Sequence, residues 1–375
     1  MVKKILAVLL CVCLAVLTFG CGKQPEDADT ESTRKSAAED GQRIAIIIGD
    51  QSQNPELFAA VAEVARTYDN SVMVLKYAEN YYADPDAVKT IAETVAVDEN
   101  VQAIIFADGV KGTGAAVQRV REMRTDMCIV VCNPHEGSAN TREADLVLSV
   151  DFPALGEAMV KQAKEMGAKN FVFYTNNRHL KYSSVIALRS AAEEACKEQK
   201  MTFKAAMSID LREDGRDLDS AKLYIAEDAS RKNDKFGKST ALVCTEPQVQ
   251  GAVASEALRY GMVMPATFLP SPLSIAADLG VDLTGHETDS AYAMTQLQAD
   301  KTRTSGHLAT WSFSAGIALF QTALDWTIGI LGGNGRATST DDVQKLLGTH
   351  TDGASVTVTT DAYNAFLVQS DLVTL

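Results

Sequence analysis

From Arg43 onward, short β-branched runs alternate with longer segments of helical period. A chain patterned this way has few folds open to it. Each strand–helix–strand step lays its strands parallel, and the helices must cover the sheet they build. Strands are expected near Ile44–Ile48, Val72–Tyr77, Ala103–Ala107, Cys128–Cys132 and Leu146–Val150, with helices near Pro55–Tyr68, Pro85–Val97 and Ala115–Met123. The pattern then restarts: helix Pro153–Met166, strand Phe171–Tyr174, helix Ser183–Lys200, strand Phe203–Ile209, helix Leu218–Ser230, strand Ala241–Thr245, helix Val249–Tyr260 and strand Met262–Phe268. The reading is an α/β fold of two similar doubly wound parallel-sheet lobes. A long apolar helix, Phe313–Leu331, ends at Gly332-Gly333, and Ser355–Thr360 alternates like a strand suited to an edge of either sheet.

Length and composition agree with this. At 375 residues the chain is long enough for two domains, and 46% hydrophobic with 22% charged residues is ordinary globular usage. The net charge of −14 leaves no broad attraction for nucleic acid or anionic membranes. A DNA-binding reading also lacks room for an N-terminal helix-turn-helix before the first strand.

Ahead of the fold, residues 1–20 read as a signal peptide: Lys3-Lys4, then an apolar run from Ile5 to Phe19. A fifteen-residue helix rises about 22 Å, short of a hydrocarbon core of about 30 Å. Leu17-Thr18-Phe19-Gly20-Cys21 resembles a bacterial lipobox, with Phe19 departing from the pattern; the resemblance implies lipidation at Cys21 and a cell-membrane anchor on the extracytoplasmic face. Residues 21–42 are polar, nearly free of large apolar side chains, and read as a flexible tether.

The remaining cysteines, 128, 132, 196 and 244, lie in apolar segments and read as buried free thiols; Cys128 and Cys132 share a strand about 13 Å apart, too far for a disulfide. No metal site is expected, because there is no CxxC or HExxH; no cofactor is expected, because the chain has neither a P-loop ending nor GxGxxG spacing. Nor is a catalytic residue assigned: GxSxG and a Cys/His pair are missing, although abundant carboxylates leave a catalytic pair open.

In open parallel sheets the ligand crevice lies beyond the carboxyl ends of the strands. The polar residues there are Asp50, Gln51, Ser52, Gln53, Asp108, Asn133, His135 and Asp151 in the first half, and Thr175, Asn176, Asn177, Arg178, Thr245, Glu246 and Gln248 in the second. Several carry two readings. Asp50 and Gln51 touch ligand or cap the helix at Pro55, and Asp151 faces ligand or fixes a crossing between lobes. Arg178 pairs with a ligand carboxylate or phosphate, or with a cleft acid. Glu246 either accepts from ligand hydroxyls or amines or is an exposed helix-start carboxylate. Tyr174 is a stacking wall or core, and so are Phe58, Trp311 and Phe313. The Gly109–Gly114 turn cradles an anion or is simply tight.

Asp145-Leu-Val-Leu-Ser-Val-Asp151, Ala168–Tyr174, Ser184–Arg189 and Ala195 together resemble the middle of type 1 periplasmic binding proteins. Thr240–Gly251 is similar to that superfamily's strand and Asn-Asp pair, with Thr245 and Glu246 at the two positions; Arg189 matches a helix arginine that reaches ligand in some members, and here a structural role is the preferred reading. The resemblance covers roughly residues 43–335. Tyr81-Tyr82-Ala-Asp-Pro, Ile91, Asp108-Gly-Val-Lys-Gly-Thr113 and Arg121-Glu-Met-Arg resemble, more closely, an uncharacterised family of bacterial lipoproteins of that fold.

The superfamily implies two lobes joined by a hinge of crossing strands, a ligand trapped between them and delivery to an ABC importer permease. The N-terminal lobe is then 43–150 with about 305–335, the C-terminal lobe 151–304, and 336–375 belongs to either. The expected partner is a small polar ligand of the nucleoside, sugar or amine class, with no nucleic acid. The competing functions are a ligand-sensing or structural envelope lipoprotein of the same fold, and a secreted enzyme.

Overall fold

The computed structural model describes residues 41–375 except 79, 80, 85, 214, 216, 300–303, 305, 337 and 362–364. The signal segment 1–20, Cys21 and the tether up to residue 40 lie outside the described residues.

The first half runs β1 (Arg43–Ile48), α1 (Pro55–Tyr68), β2 (Val72–Lys76), α2 (Asp86–Ala96), β3 (Val101–Phe106), α3 (Thr113–Met123), β4 (Cys128–Cys132) and β5 (Leu146–Val150). The second runs α4 (Phe152–Glu165), β6 (Asn170–Thr175), α5 (Ser183–Glu198), β7 (Thr202–Met207), α6 (Leu218–Phe236), β8 (Thr240–Cys244), α7 (Gln250–Tyr260), α8 (Pro272–Asp278) and α9 (Ser290–Ala299). There follow β9 (Ala309–Thr310), α10 (Ala315–Leu331), α11 (Thr340–Leu347), β10 (Val356–Thr360), β11 (Ala365–Ser370) and β12 (Val373–Thr374).

The first sheet has the order β10-β11-β5-β4-β3-β1-β2. Its central strands are buried on both faces, which is why Ile44–Ile48 and Cys128–Cys132 are unbroken apolar runs. The C-terminal segment completes this sheet. Strand β11 lies parallel to β5 (Leu148 opposite Phe366), and β10 closes the edge antiparallel to β11 (Val358 opposite Val368). Helix α10 packs against β3, β4 and β5.

The second sheet has the order β7-β6-β8. Instead of a full strand at Met262–Phe268, single bridges from Val263 to Ala241 and from Met264 to Leu308 carry the sheet on; β9 then pairs antiparallel with β12. The chain therefore passes between the sheets after β5, between β9 and α10, and between β11 and β12.

Helix starts follow the local chemistry. Asn54 accepts from the Leu57 N–H ahead of Pro55, and Asp151 accepts from the Ala154 N–H ahead of α4. At the second crossing one carboxylate serves three helix starts: Glu56 in the first turn of α1 accepts from Ser271 Oγ (2.8 Å) and Ser314 Oγ (2.5 Å), the caps of α8 and α10. Cys128, Cys132, Cys196 and Cys244 are buried free thiols; burial pushes Cys128, Cys196 and Cys244 up to about 12.

Candidate functional site

A crevice opens beyond a parallel sheet where neighbouring strands send their connections to opposite faces. In the first sheet that place lies between β1 and β3, because β1 sits between β2 and β3; in the second it lies between β6 and β8, because β6 sits between β7 and β8. The loops leaving these strands, together with the loop leaving β4, meet across the lobes. Gln248 Nε2 donates to the Ser52 carbonyl at 3.0 Å, Ser183 N–H donates to the His135 carbonyl at 2.9 Å, and the His135 ring stacks on Tyr182 at 4.7 Å.

The second lobe contributes a buried charged network. Arg178, 7% exposed, forks onto Asp210 (2.9 Å from Nε to Oδ2, 3.1 Å from Nη2 to Oδ1). Its Nη1 donates to the Tyr182 hydroxyl at 2.9 Å, and Nη2 lies 3.4 Å from Glu246 Oε2. That same oxygen accepts from Asn176 Nδ2 at 3.3 Å and faces His179 Nε2 at 3.7 Å. On the other wall Asp108 lies 3.6 Å from His135 Nε2, while Tyr77 donates to the Asp108 carbonyl and Tyr81 to Gln53 Oε1.

Burial pushes the Glu246 carboxyl up to about 7, against the pull of Arg178. It also raises Asp108, with His135 and Arg212 opposing. His179 is held down to about 3 by burial and then by Arg178, so it is neutral and its Nδ1 meets Thr245 Oγ1 at 2.9 Å. Burial would raise Asp210 too, but the hydrogen bonds from Arg178 and the Arg212 backbone outweigh it and leave the carboxyl below its ordinary value. A polar cluster of this kind holds its members rigid and presents fixed donors and acceptors to whatever enters.

The strand-end residues divide. Asp108, Asn176, Arg178 and Glu246 come together with Gln248 where the lobes touch. Asp50 and Gln51 sit on the exposed rim, and Asp50 accepts from the Ser52 N–H in a turn of its own; the cap of α1 is Asn54 instead. Asp151 caps α4, and its amide donates to Val368 at the crossing.

Where two readings stood open the structure decides between them, and it moves Tyr174 and Asn133 out of the candidate ligand contacts. Tyr174 is fully buried and its hydroxyl donates to Asp228 of α6 at 2.9 Å, so it is a core residue of the second lobe. Phe313 and Trp311 are core as well. Asn133, at φ 45°, turns its amide oxygen onto the Val150 N–H and braces β4 against β5. Arg178 is taken up by the chain's own acids. The turn before α3 is filled in the same way: Gly112 and Gly114 N–H groups both donate to Glu136 Oε2, at 3.0 and 3.2 Å.

Other cleft residues carried a signal that went unread. Asp210 and Arg212 follow the strand Phe203–Ile209 directly, so the strand-end rule points to them too. His135, two places after Asn133, is by contrast among the strand-end residues that the sequence pattern marks. His179 and Tyr182 lie beyond the first polar residues of their loop, where position along the chain gives no signal. Among the described residues no cluster of His, Cys, Asp and Glu could hold a metal ion, and no helix is long and apolar enough to cross a membrane.

Residues 42–309 match the family described as a protein of unknown function, DUF3798. The chain belongs to that family. It is 26% identical over 207 residues to an uncharacterised protein of Treponema pallidum (strain Nichols), a match spanning 53% of this chain and 92% of that one. Among solved structures it superposes on a chain assigned as a transcriptional regulator from Clostridium difficile 630 with a TM-score of 0.70 at 18% identity, covering 89% of this chain and 99% of that one. An ABC transporter solute binding protein from Agrobacterium vitis with bound allitol gives 0.53 at 12% identity, covering 88% and 95%. A carbohydrate transporter from Acidothermus cellulolyticus 11B in complex with myo-inositol gives 0.51 at 11%, covering 83% and 99%. These likenesses establish the fold as the two-lobed type 1 periplasmic-binding-protein kind.

Proposed function

We propose that this protein is a lipid-anchored, extracytoplasmic solute-binding protein that traps a small polar ligand between its lobes and delivers it to an ABC importer. The observation that carries this is convergence: loops from the switch points of both sheets, joined by the loop after β4, bring Asp108 and His135 face to face with Glu246, Arg178 and Tyr182. A solute binding protein holding allitol and a carbohydrate transporter holding myo-inositol share the fold, which supports a polyol-sized ligand. The lipobox-like Cys21 and the tether behind it support the anchor. Chemically, the cleft binds and orients. Arg178 fixes the Glu246 carboxylate, which accepts from ligand hydroxyls or amines, and closure of the lobes removes those bonds from water.

The test is a thermal-stability screen of the full chain, purified in mild detergent, against sugars, nucleosides, amino acids and polyamines, since a ligand of the native state raises Tm. One class should raise it in a dose-dependent way, and Glu246→Gln and Asp108→Asn should each weaken that binding by about 1–3 kcal/mol. A flat screen on folded protein, or unchanged affinity in both variants, rejects the site. For the anchor, Cys21→Ala should shift the chain out of the membrane fraction; retention there rejects lipidation at that residue. A ligand-sensing lipoprotein would use the same cleft, and the absence of coupled transport in cells would favour it.

A further inference from the structure

Arg212 is the cleft cation that the network leaves open. It stands two residues past Asp210, and its guanidinium lies 5.1 Å from the ring centres of both Tyr81 and Tyr82, which belong to the opposite lobe. Its backbone N–H donates to Asp210 Oδ1 at 3.0 Å; among the described residues its side chain has no hydrogen bond and no ion pair. That is unexpected in a chain with 49 acids against 35 bases. The acids around it are engaged: Asp210 by Arg178, and Asp50 by the Ser52 N–H. A guanidinium resting on aromatic faces keeps its in-plane N–H fork free, and that fork matches a carboxylate or a phosphate.

Two acceptors complement it. His135 Nε2 faces the Asp108 carboxylate, which places the ring proton there and leaves Nδ1 as a buried atom with no partner. On Glu246, the bonds from Asn176 and Arg178 both fall on Oε2, leaving Oε1 to the cleft. The charge of Arg212 acts on Asp108, His135 and Glu246 alike, so the four groups form one cluster.

The geometry points to a ligand that is a small hydroxylated or aminated organic anion, its carboxylate or phosphate held by Arg212 and its donors by His135 Nδ1 and Glu246 Oε1. This rests on the cleft being a ligand site. It narrows the class: a neutral polyol would leave the Arg212 fork without an acceptor, at a cost that a matched anion avoids.

Paired probes test it: gluconate against glucitol, glucose 6-phosphate against glucose, and serine against ethanolamine, each titrated into the full chain in mild detergent. The carboxylate- or phosphate-bearing member of at least one pair should bind, the partner lacking that group at least tenfold more weakly, and the pair that responds separates carboxylate from phosphate. Arg212→Gln should cost at least tenfold in affinity for that probe and Arg212→Lys less, while the ligand-free protein stays folded and gives up only the contacts of the guanidinium with the Tyr81 and Tyr82 rings. Equal binding of both members, or an Arg212→Gln protein that binds as the parent does, overturns the inference while the cleft stands as a site. No binding by any probe, together with a flat broad screen, overturns both.

Discussion

Glu246 shows what burial does to one carboxylate. Its pKa is about 7 in the fold against an ordinary value of 4.5, so between those limits the native state binds a proton that the unfolded chain does not. Stability from this group is therefore fully present below about pH 4.5 and is lost as pH rises through 7. Melting curves between pH 5 and 8 should show a stabilising slope toward acid, at most about 1.4 kcal/mol per pH unit, that flattens in Glu246→Gln. An unchanged slope in the variant would show that Glu246 is ionised throughout. At this scale the sequence was half legible. Glu246 and Arg178 were findable because they follow strands directly. Tyr174 stayed between wall and core because the last residues of a strand alternate between faces, and only α6 packing over the sheet decides that its hydroxyl meets Asp228.

Helices α4 and α5 approach closely at Gly156, where an added Cβ would fall 2.5 Å from the Leu188 carbonyl oxygen and 3.1 Å from the Ala192 nitrogen. Neither is the movable end of a side chain, so Gly156→Ala should force the helices apart and cost about 1–3 kcal/mol, despite the better helix propensity of alanine. Chemical denaturation reads this out; a variant as stable as the parent would mean that the helix pair yields without penalty. The strand and helix pattern was legible here because hydrophobic period is local. The Gly109–Gly114 turn was not: its N–H groups look like an anion cradle until Glu136, far along the chain, is seen to fill it.

The whole molecule depends on its last residues. Strand β11 inserts beside β5 in the first sheet, and β12 pairs with β9 of the second, so the C-terminus ties both lobes. A chain ending at Asp361 leaves β5 as an exposed edge and β10 without its neighbour. It should lose several kcal/mol, a large share of a typical total of about 5–15, and unfold without a single cooperative transition. Circular dichroism and solubility check this, and a truncated chain that melts as the parent does would contradict it. The sequence by itself determined the α/β class, the duplicated wind and the polar strand ends, because periodicity and capping act over a few residues. Only the tertiary structure decided which polar groups are occupied. Arg178 meets Asp210 from 32 positions away and Glu246 from 68, so whether a charge is neutralised or left open to a ligand is settled by long-range pairing that local pattern does not record.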